Sequence, residues 1–188
     1  DRDGFRRNTA TLQLGFTPAA QHRIGVQVLE TKLDAQFDSS EFLPPAFIAD
    51  PTPDFRKRLT TRVTSIDYRG TPIQHWTTTL QASRAVDDLT SGGTVQSRFV
   101  TRRDQATWQN AWSLARDQQL LVAYEHQVER SNAEVFAGEL GRRNDAGVLG
   151  YSGTFDALSM QADVRRDVNS AYGGNTTGRL GASLEVLR

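Results

Sequence analysis

Hydrophobic and polar residues alternate one by one along most of this chain, most clearly across Gln105–Glu129. On the first arm of that stretch Ala106, Trp108, Trp112 and Leu114 share one face, with Gln105, Thr107, Gln109 and Ser113 on the other. A polar turn at Arg116–Gln119 leads into a second arm. There Leu120, Val122, Tyr124 and Val128 lie on one face and Ala123, Glu125, Gln127 and Glu129 on the other. Period-two alternation marks a strand with one apolar and one polar side. Globular strands run about 5–6 residues, whereas a tilted strand that crosses a membrane needs about 9–11. Both arms are of the second kind.

The same hairpin recurs along the chain. The pattern predicts strands at Asn8–Phe16, from His22 onward, at Leu59–Tyr68, Ile73–Arg84, Asp145–Phe155 and Leu158–Val164, and through Leu180, Leu184 and Val186. With the central hairpin this makes about nine strands, an all-β, antiparallel, up-and-down transmembrane β-barrel present in part. In the second strand Leu29 and Leu33 fall out of phase with Ile24, Val26 and Val28. The slip reads as a β-bulge or as the strand rising clear of the membrane. Pro44, Pro45, Pro51 and Pro53 make Asp38–Arg56 a loop, since a ladder has no place for them. Long connections are also expected at Val86–Gln96, Ser131–Arg143 and Asn169–Thr176. Short turns are expected at Thr17–Gln21, Arg69–Pro72, Arg116–Gln119 and Asp156-Ala157. Long and short connections therefore alternate, as extracellular loops and periplasmic turns do. Phe16, Tyr68, Trp76, Trp112 and Phe155 gather beside the short turns, which suits an interfacial girdle. The competing reading makes them the core of a soluble β-sandwich binding module. In the barrel reading Leu12, Leu14, Leu80, Trp108, Val122, Tyr124, Leu149 and Leu180 face lipid. Thr11, Gln81, Gln109, Glu125 and Arg179 then face the lumen.

Composition fits a barrel. Hydrophobic residues make up 37% of the 188 and mean hydropathy is −0.53, little for a dry core but enough for a thin outer band around a polar lumen. Basic and acidic residues balance at 22 each, so charge gives no argument for nucleic acid. Cysteine is absent, which removes disulfides and thiolate metal sites. No apolar run approaches the ~18 residues of a membrane helix, and no signal peptide opens the chain. Both ends read as cut, and residues 1–188 read as part of one outer-membrane barrel domain.

No catalytic constellation emerges. His22, His75 and His126 lack the spacing of a metal site or a base–nucleophile pair, so a binding or transport role is expected rather than an enzyme. Arg102-Arg103 and Arg142-Arg143 lie towards the long-loop rim, either solvated or meeting lipopolysaccharide phosphates. Asp1 and Asp3 point the same way in an extended segment. Asp34 and Asp38 stand at the entrance of the first long loop, Asp50 and Asp54 at its exit. Pairing of the first two strands brings Asp1, Asp3 and Asp34 towards one open end. Two readings stay open, a solvated acidic rim or carboxylates gathered around calcium.

The segments Asp1-Arg2-Asp3-Gly4-Phe5, Leu33-Asp34-Ala35, Asp54-Phe55-Arg56-Lys57, Arg143-Asn144 and Arg166–Gly173 occur in an order that resembles the TonB-dependent outer-membrane cobalamin receptors. The resemblance implies cobalamin uptake across the bacterial outer membrane, energised by TonB through a plug outside this sequence, as are the remaining strands. It also implies calcium ligands at Asp1, Asp3, Asp34 and Asp54, and a corrinoid contact at Ala35. Leu33 stands where the family has a tyrosine ligand. Within the same architecture, the alternative is a receptor for another ligand such as an iron chelate.

Overall fold

Each alternating stretch becomes one strand, and each long strand pairs with the next in sequence. The structure, a computed structural model, describes residues 4–40, 42–43, 48–49, 54–133 and 138–186. The long strands are β1 (Phe5–Ala19), β2 (His22–Gln36), β5 (Arg56–Ile73), β6 (Trp76–Gly92), β7 (Gln96–Ala115), β8 (Gln118–Ala133), β9 (Leu140–Phe155), β10 (Leu158–Asn169) and β11 (Gly173–Leu184). Between β2 and β5, β3 (Phe42–Leu43) and β4 (Ile48–Ala49) form a small pair of their own. The remainder is one 9-stranded antiparallel sheet in the order β1-β2-β5-β6-β7-β8-β9-β10-β11. This is the expected up-and-down meander, with β1 and β11 at its edges.

The turns at one end are tight, at Ala20-Gln21, Gln74-His75, Arg116-Asp117 and Asp156-Ala157. Gln21, His75 and Asp156 take positive φ there, at 63°, 69° and 51°. The expected turn at Arg69–Pro72 is displaced. Those residues continue β5, and the β5–β6 register shifts between Gly70 and Ile73, an irregular stretch that accommodates Pro72 without a ladder donor. At the other end the strands outrun the expected loops. β6 runs to Gly92 and β7 starts at Gln96, so the connection expected at Val86–Gln96 shrinks to 93–95, and that expected at Asn169–Thr176 shrinks to 170–172. Polar runs read as loops are strands, held by their ladders without an apolar face. The bulge expected near Leu29 does not form, because β2–β5 pairing is unbroken from His22 to Gln36.

Away from the shifts beside the tight turns, the registers sort side chains onto two faces. Leu12, Leu14, Leu80, Trp108, Val122, Tyr124, Leu149 and Leu180 share one, and Thr11, Gln81, Gln109, Glu125 and Arg179 share the other, as the alternation required. Towards the tight turns, the first face is an apolar band. Trp76 pairs with Trp112 with rings stacked 6.3 Å apart, and Leu80, Trp108 and Tyr124 form a continuous cross-strand row. Two polar residues interrupt this band, the cross-strand pair Thr78 and Asn110, only 6% and 3% exposed. Each is satisfied by an indole. Trp108 Nε1 donates to Thr78 Oγ1 and Trp76 Nε1 donates to Asn110 Oδ1, both at 3.1 Å. A buried polar atom without such a partner would be costly.

Among the described residues no second layer covers the sheet. Trp108 is 49% exposed and Val122 38%, and among the described residues the buried apolar ones are Phe55, Ala123, Ala133 and Ala146. The accessible surface is 13555 Å², against about 9,000 Å² expected for a compact globular chain of this mass. The soluble β-sandwich is therefore ruled out as the fold. No helix among the described residues is long and apolar enough to cross a membrane, which says nothing of strands.

Candidate functional site

The face opposite the apolar band changes character along the strands. Near their middle it carries a polar row, Gln27, Ser65, Ser83, Gln105, Gln127 and Asn144, each paired with the next across the sheet. Nearer the long-loop end comes a hydroxyl-rich row, Thr31, Thr61, Asp87, Thr101 and Ser131. Thr61 Oγ1 donates to Asp87 Oδ1 at 2.6 Å, and the hydroxyls of Thr101 and Ser131 lie 3.3 Å apart. Beyond it the row becomes apolar, with Leu33, Leu59, Leu89, Phe99 and Ala133 aligned across β2 to β8. Leu29 and Val63 pair below the hydroxyl row as a smaller apolar patch on the same face. Leu29 and Leu33 are the two whose phase slips in the sequence. An unbroken strand that turns its apolar side to the opposite face makes an apolar shelf there.

A charged cluster flanks the shelf. Arg103 donates from Nε and Nη2 to Glu129 Oε2 at 3.0 and 2.8 Å, and Arg142 Nη2 reaches Glu129 Oε1 at 3.0 Å. The Glu129 side chain is only 14% exposed, so the two guanidiniums hold one carboxylate and leave a net positive charge on this face. Arg102 and Arg143, their sequence neighbours, point to the banded face. The paired arginines of the sequence are thus split between the two walls.

Of the residues expected at the rim, Ala35 lies on the shelf side, between Phe5 of β1 and Lys57 of β5. Asp34 therefore lies on the banded face, where Arg58 Nε stands 3.5 Å from its carboxylate. Asp54 accepts from Gln36 Nε2 at 3.1 Å and from Arg56 Nε at 2.9 Å. The Gln36 amide and then the Arg56 guanidinium hold the Asp54 carboxyl below the usual carboxylate range. The same Gln36 side chain accepts the Gly4 amide at 3.1 Å, tying Asp54 to the start of β1. Phe37 N–H donates to Phe55 O at 3.1 Å and the two rings lie 5.7 Å apart, closing the base of the loop. Asp1, Asp3 and Asp50 lie outside the described residues. Among the described residues no three acidic or histidine side chains converge as a metal site would require, and Asp34 and Asp54 each face an arginine. The histidines are engaged locally. His22 Nδ1 lies 2.8 Å from the Tyr68 hydroxyl, and His126 Nδ1 lies 2.7 Å from Asp145 Oδ1.

The proline-marked loop picked out Asp34 and Asp54 at its two ends, and Ala35 came from the resemblance. Both routes passed over the shelf, whose signal was the out-of-phase leucines and Phe99, distributed over separate strands.

No protein-family model matches the sequence, and no curated protein matches it. Solved structures match its fold. The siderophore receptor PirA from Pseudomonas aeruginosa superposes with a TM-score of 0.79 at 15% identity, over 97% of this chain and 31% of that one. The ferric enterobactin receptor PfeA from the same organism gives 0.80 at 9% identity, over 99% and 32%. The ferric citrate transporter FecA gives 0.66 at 11%, over 98% and 34%. The chain spans about a third of the length of these proteins, and the sheet has the fold of a partial outer-membrane β-barrel.

Proposed function

We propose that this chain is barrel wall of an outer-membrane receptor that takes up a large metal chelate, a corrinoid or an iron chelate, with energy passed from TonB through a plug outside this sequence. In a closed barrel the apolar band meets lipid and the opposite face lines the lumen. The observation that carries the reading is the shelf Leu33, Leu59, Leu89 and Phe99 on the lumenal side of the long-loop end. Apolar side chains there, beside hydroxyls and the Arg103–Glu129–Arg142 cluster, suit a ligand with a broad apolar surface and a polar or anionic periphery. The names of the structural neighbours favour an iron chelate, and the rim segments favour cobalamin.

Calcium belongs to the cobalamin version. Asp1, Asp3, Asp34 and Asp54 would supply oxygens near the start of β1, where Gln36 already ties Asp54 to Gly4. Ordering the loops beforehand would lower the entropy cost of binding. The test is chelate binding to the intact receptor, with cobalamin and a ferric siderophore titrated separately, with calcium and after chelation. Leu59→Glu is expected to weaken the bound chelate about tenfold or more, since it places a charge against an apolar surface. Asp34→Asn should reduce any calcium dependence and Asp117→Asn in a tight turn should not. If neither chelate binds, or if Leu59→Glu binds as the parent does, the reading fails.

A further inference from the structure

On the lumenal face Arg103 and Arg142 share Glu129, Arg165 holds Glu125 and Asp167, and Arg179 holds Asp163. Arg23 and Arg69, on the same face, differ. They stand directly opposite one another across β2 and β5, in the row that continues through Thr79 and Gln109. Both are exposed, and neither forms an ion pair or a side-chain hydrogen bond among the described residues. Like charges directly opposite in a ladder destabilise it.

The neighbouring carboxylate is directed elsewhere. Asp67 shares the face of Arg69 on β5 and lies opposite Gly25. Its carboxylate folds over Gly25, so closely that a Cβ there would collide with it. The Arg23 side chain lies over Gly15, with Nε and Nη2 each 3.7 Å from where a Cβ would stand. Gly15 and Gly25 are themselves paired across β1 and β2, so the two side chains rest on a bare floor of backbone. No ion pair joins Asp67 to either arginine among the described residues. One carboxylate beside two guanidiniums in any case leaves a net positive charge. Thr79, paired with Arg69, adds a hydroxyl donor. From Leu59 to Arg69 along β5 is about 33 Å at ~3.3 Å per residue, so this group is separate from the apolar shelf.

We propose that Arg23 and Arg69 form an anion site low on the inner wall, which takes one carboxylate between the two guanidiniums. Each guanidinium presents a fork of donors that matches a carboxylate, and one anion between them turns a repulsive pair into an attractive one. In a closed barrel the carboxylate comes from whatever occupies the lumen at that level. That is an acidic side chain of the same protein outside this sequence, or a carboxylate-bearing chelate in passage. The bare floor of Gly15 and Gly25 lets the occupant approach the backbone closely. The proposal rests on the barrel placement given above and is independent of which chelate the shelf selects.

The test uses the full receptor in detergent, first with no chelate added. Arg23→Gln/Arg69→Gln is compared with Arg23→Lys/Arg69→Lys, which keeps both charges, and with Asp67→Asn. If the protein's own carboxylate fills the site, the Gln pair should lower the unfolding midpoint by about 2 °C or more. The Lys pair should recover most of that loss, and Asp67→Asn should cause none. If the site is filled by the chelate in passage, the Gln pair relieves repulsion and the midpoint should hold or rise. Uptake by cells of a carboxylate-bearing ferric siderophore then reads the site. Relative to surface binding, it should fall about tenfold in the Gln pair and hold in the Lys pair, with surface affinity unchanged. Either result supports the site and identifies its occupant. An uptake ratio at the parent value, with no fall in midpoint, would overturn it. So would an Asp67→Asn midpoint as low as that of the Gln pair, which would make Asp67 the counter-ion. A receptor that binds neither cobalamin nor a siderophore would refute the chelate reading, and the midpoint alone would then decide the anion site, a fall supporting it and no fall overturning it.

Discussion

The tight-turn half and the long-loop half of the same strands solve opposite problems. In the first, Trp108, Val122 and Leu149 line one face while Gln109, Ala123 and Val148 lie opposite. In the second, that first face carries Arg58, Arg62 and Arg102, and its reverse carries Leu33, Leu59, Leu89 and Phe99. No bulge separates the two halves of β2, so the backbone stays in phase while the solvent changes sides. In the proposed membrane placement, hydrocarbon outside and water inside give way to water outside and an apolar shelf inside. A strand longer than the bilayer is thick can therefore be a membrane wall at one end and a binding surface at the other.

The largest test of this contrast is charge placed in the band. Val122→Arg should cost about 2–4 kcal/mol if it lies near the bilayer midplane, whereas Gln109→Arg, on the other face, should be nearly neutral in a folding assay of the full receptor. Equal costs would erase the distinction between faces. Next come the indoles. Trp76→Phe leaves Asn110 Oδ1 without its donor, and Trp108→Phe does the same to Thr78. The first should cost about 1–3 kcal/mol by leaving a buried polar group unsatisfied, and the second less, since Thr78 Oγ1 still donates to Gln109 O at 3.5 Å. Combining Trp76→Phe with Asn110→Leu should recover part of that loss, and failure to recover any would show that packing and not the hydrogen bond was lost.

In the long-loop half the same face should be forgiving. Arg62 and Glu30 form an exposed pair, so Arg62→Gln should change stability by less than about 1 kcal/mol, read as the midpoint of denaturant unfolding. The smallest effect is one of pH. The Asp54 carboxyl is depressed by Gln36 and Arg56, so its tie to the loop base is fully present above the ordinary carboxylate pKa. That tie is lost as pH falls through the lowered value. Amide protection at Gln36 and Phe37, corrected for intrinsic exchange, should therefore hold at neutral pH and fall only in strong acid. Loss beginning near pH 6 would assign the closure to another group.

Much of this was legible in the alternation. The facing of Leu80, Trp108 and Val122 follows from parity alone, because a strand side chain has only two directions to take, and the nine strands and their antiparallel order from the turns and prolines between the alternating runs. Strand ends were less legible. Val86–Gly92 carries Asp87, Asp88 and Thr90 and looks like a loop, yet it extends β6 because its backbone is paired on both sides. The site was only partly visible. Leu33, Leu59, Leu89 and Phe99 are separated by long stretches of sequence, and register alone brings them into one row. The partners of Asp34 and Asp54 also depend on register, which composition does not encode.

The central claim is that β7 crosses from lipid to water without changing phase. Residues 1–188 contain no cysteine, so with any cysteine elsewhere in the full receptor replaced by serine, single cysteines can be placed along the banded face of β7 at Arg98, Arg102, Ala106, Trp108 and Trp112. A water-soluble maleimide, applied to the receptor in lipid bilayers, reads each site. The account predicts rapid labelling at 98 and 102, strong protection at 106, 108 and 112, and labelling at Gln105 and Gln109 on the lumenal face. Rapid labelling at 108 and 112, equal to that at 98 and 102, would contradict it.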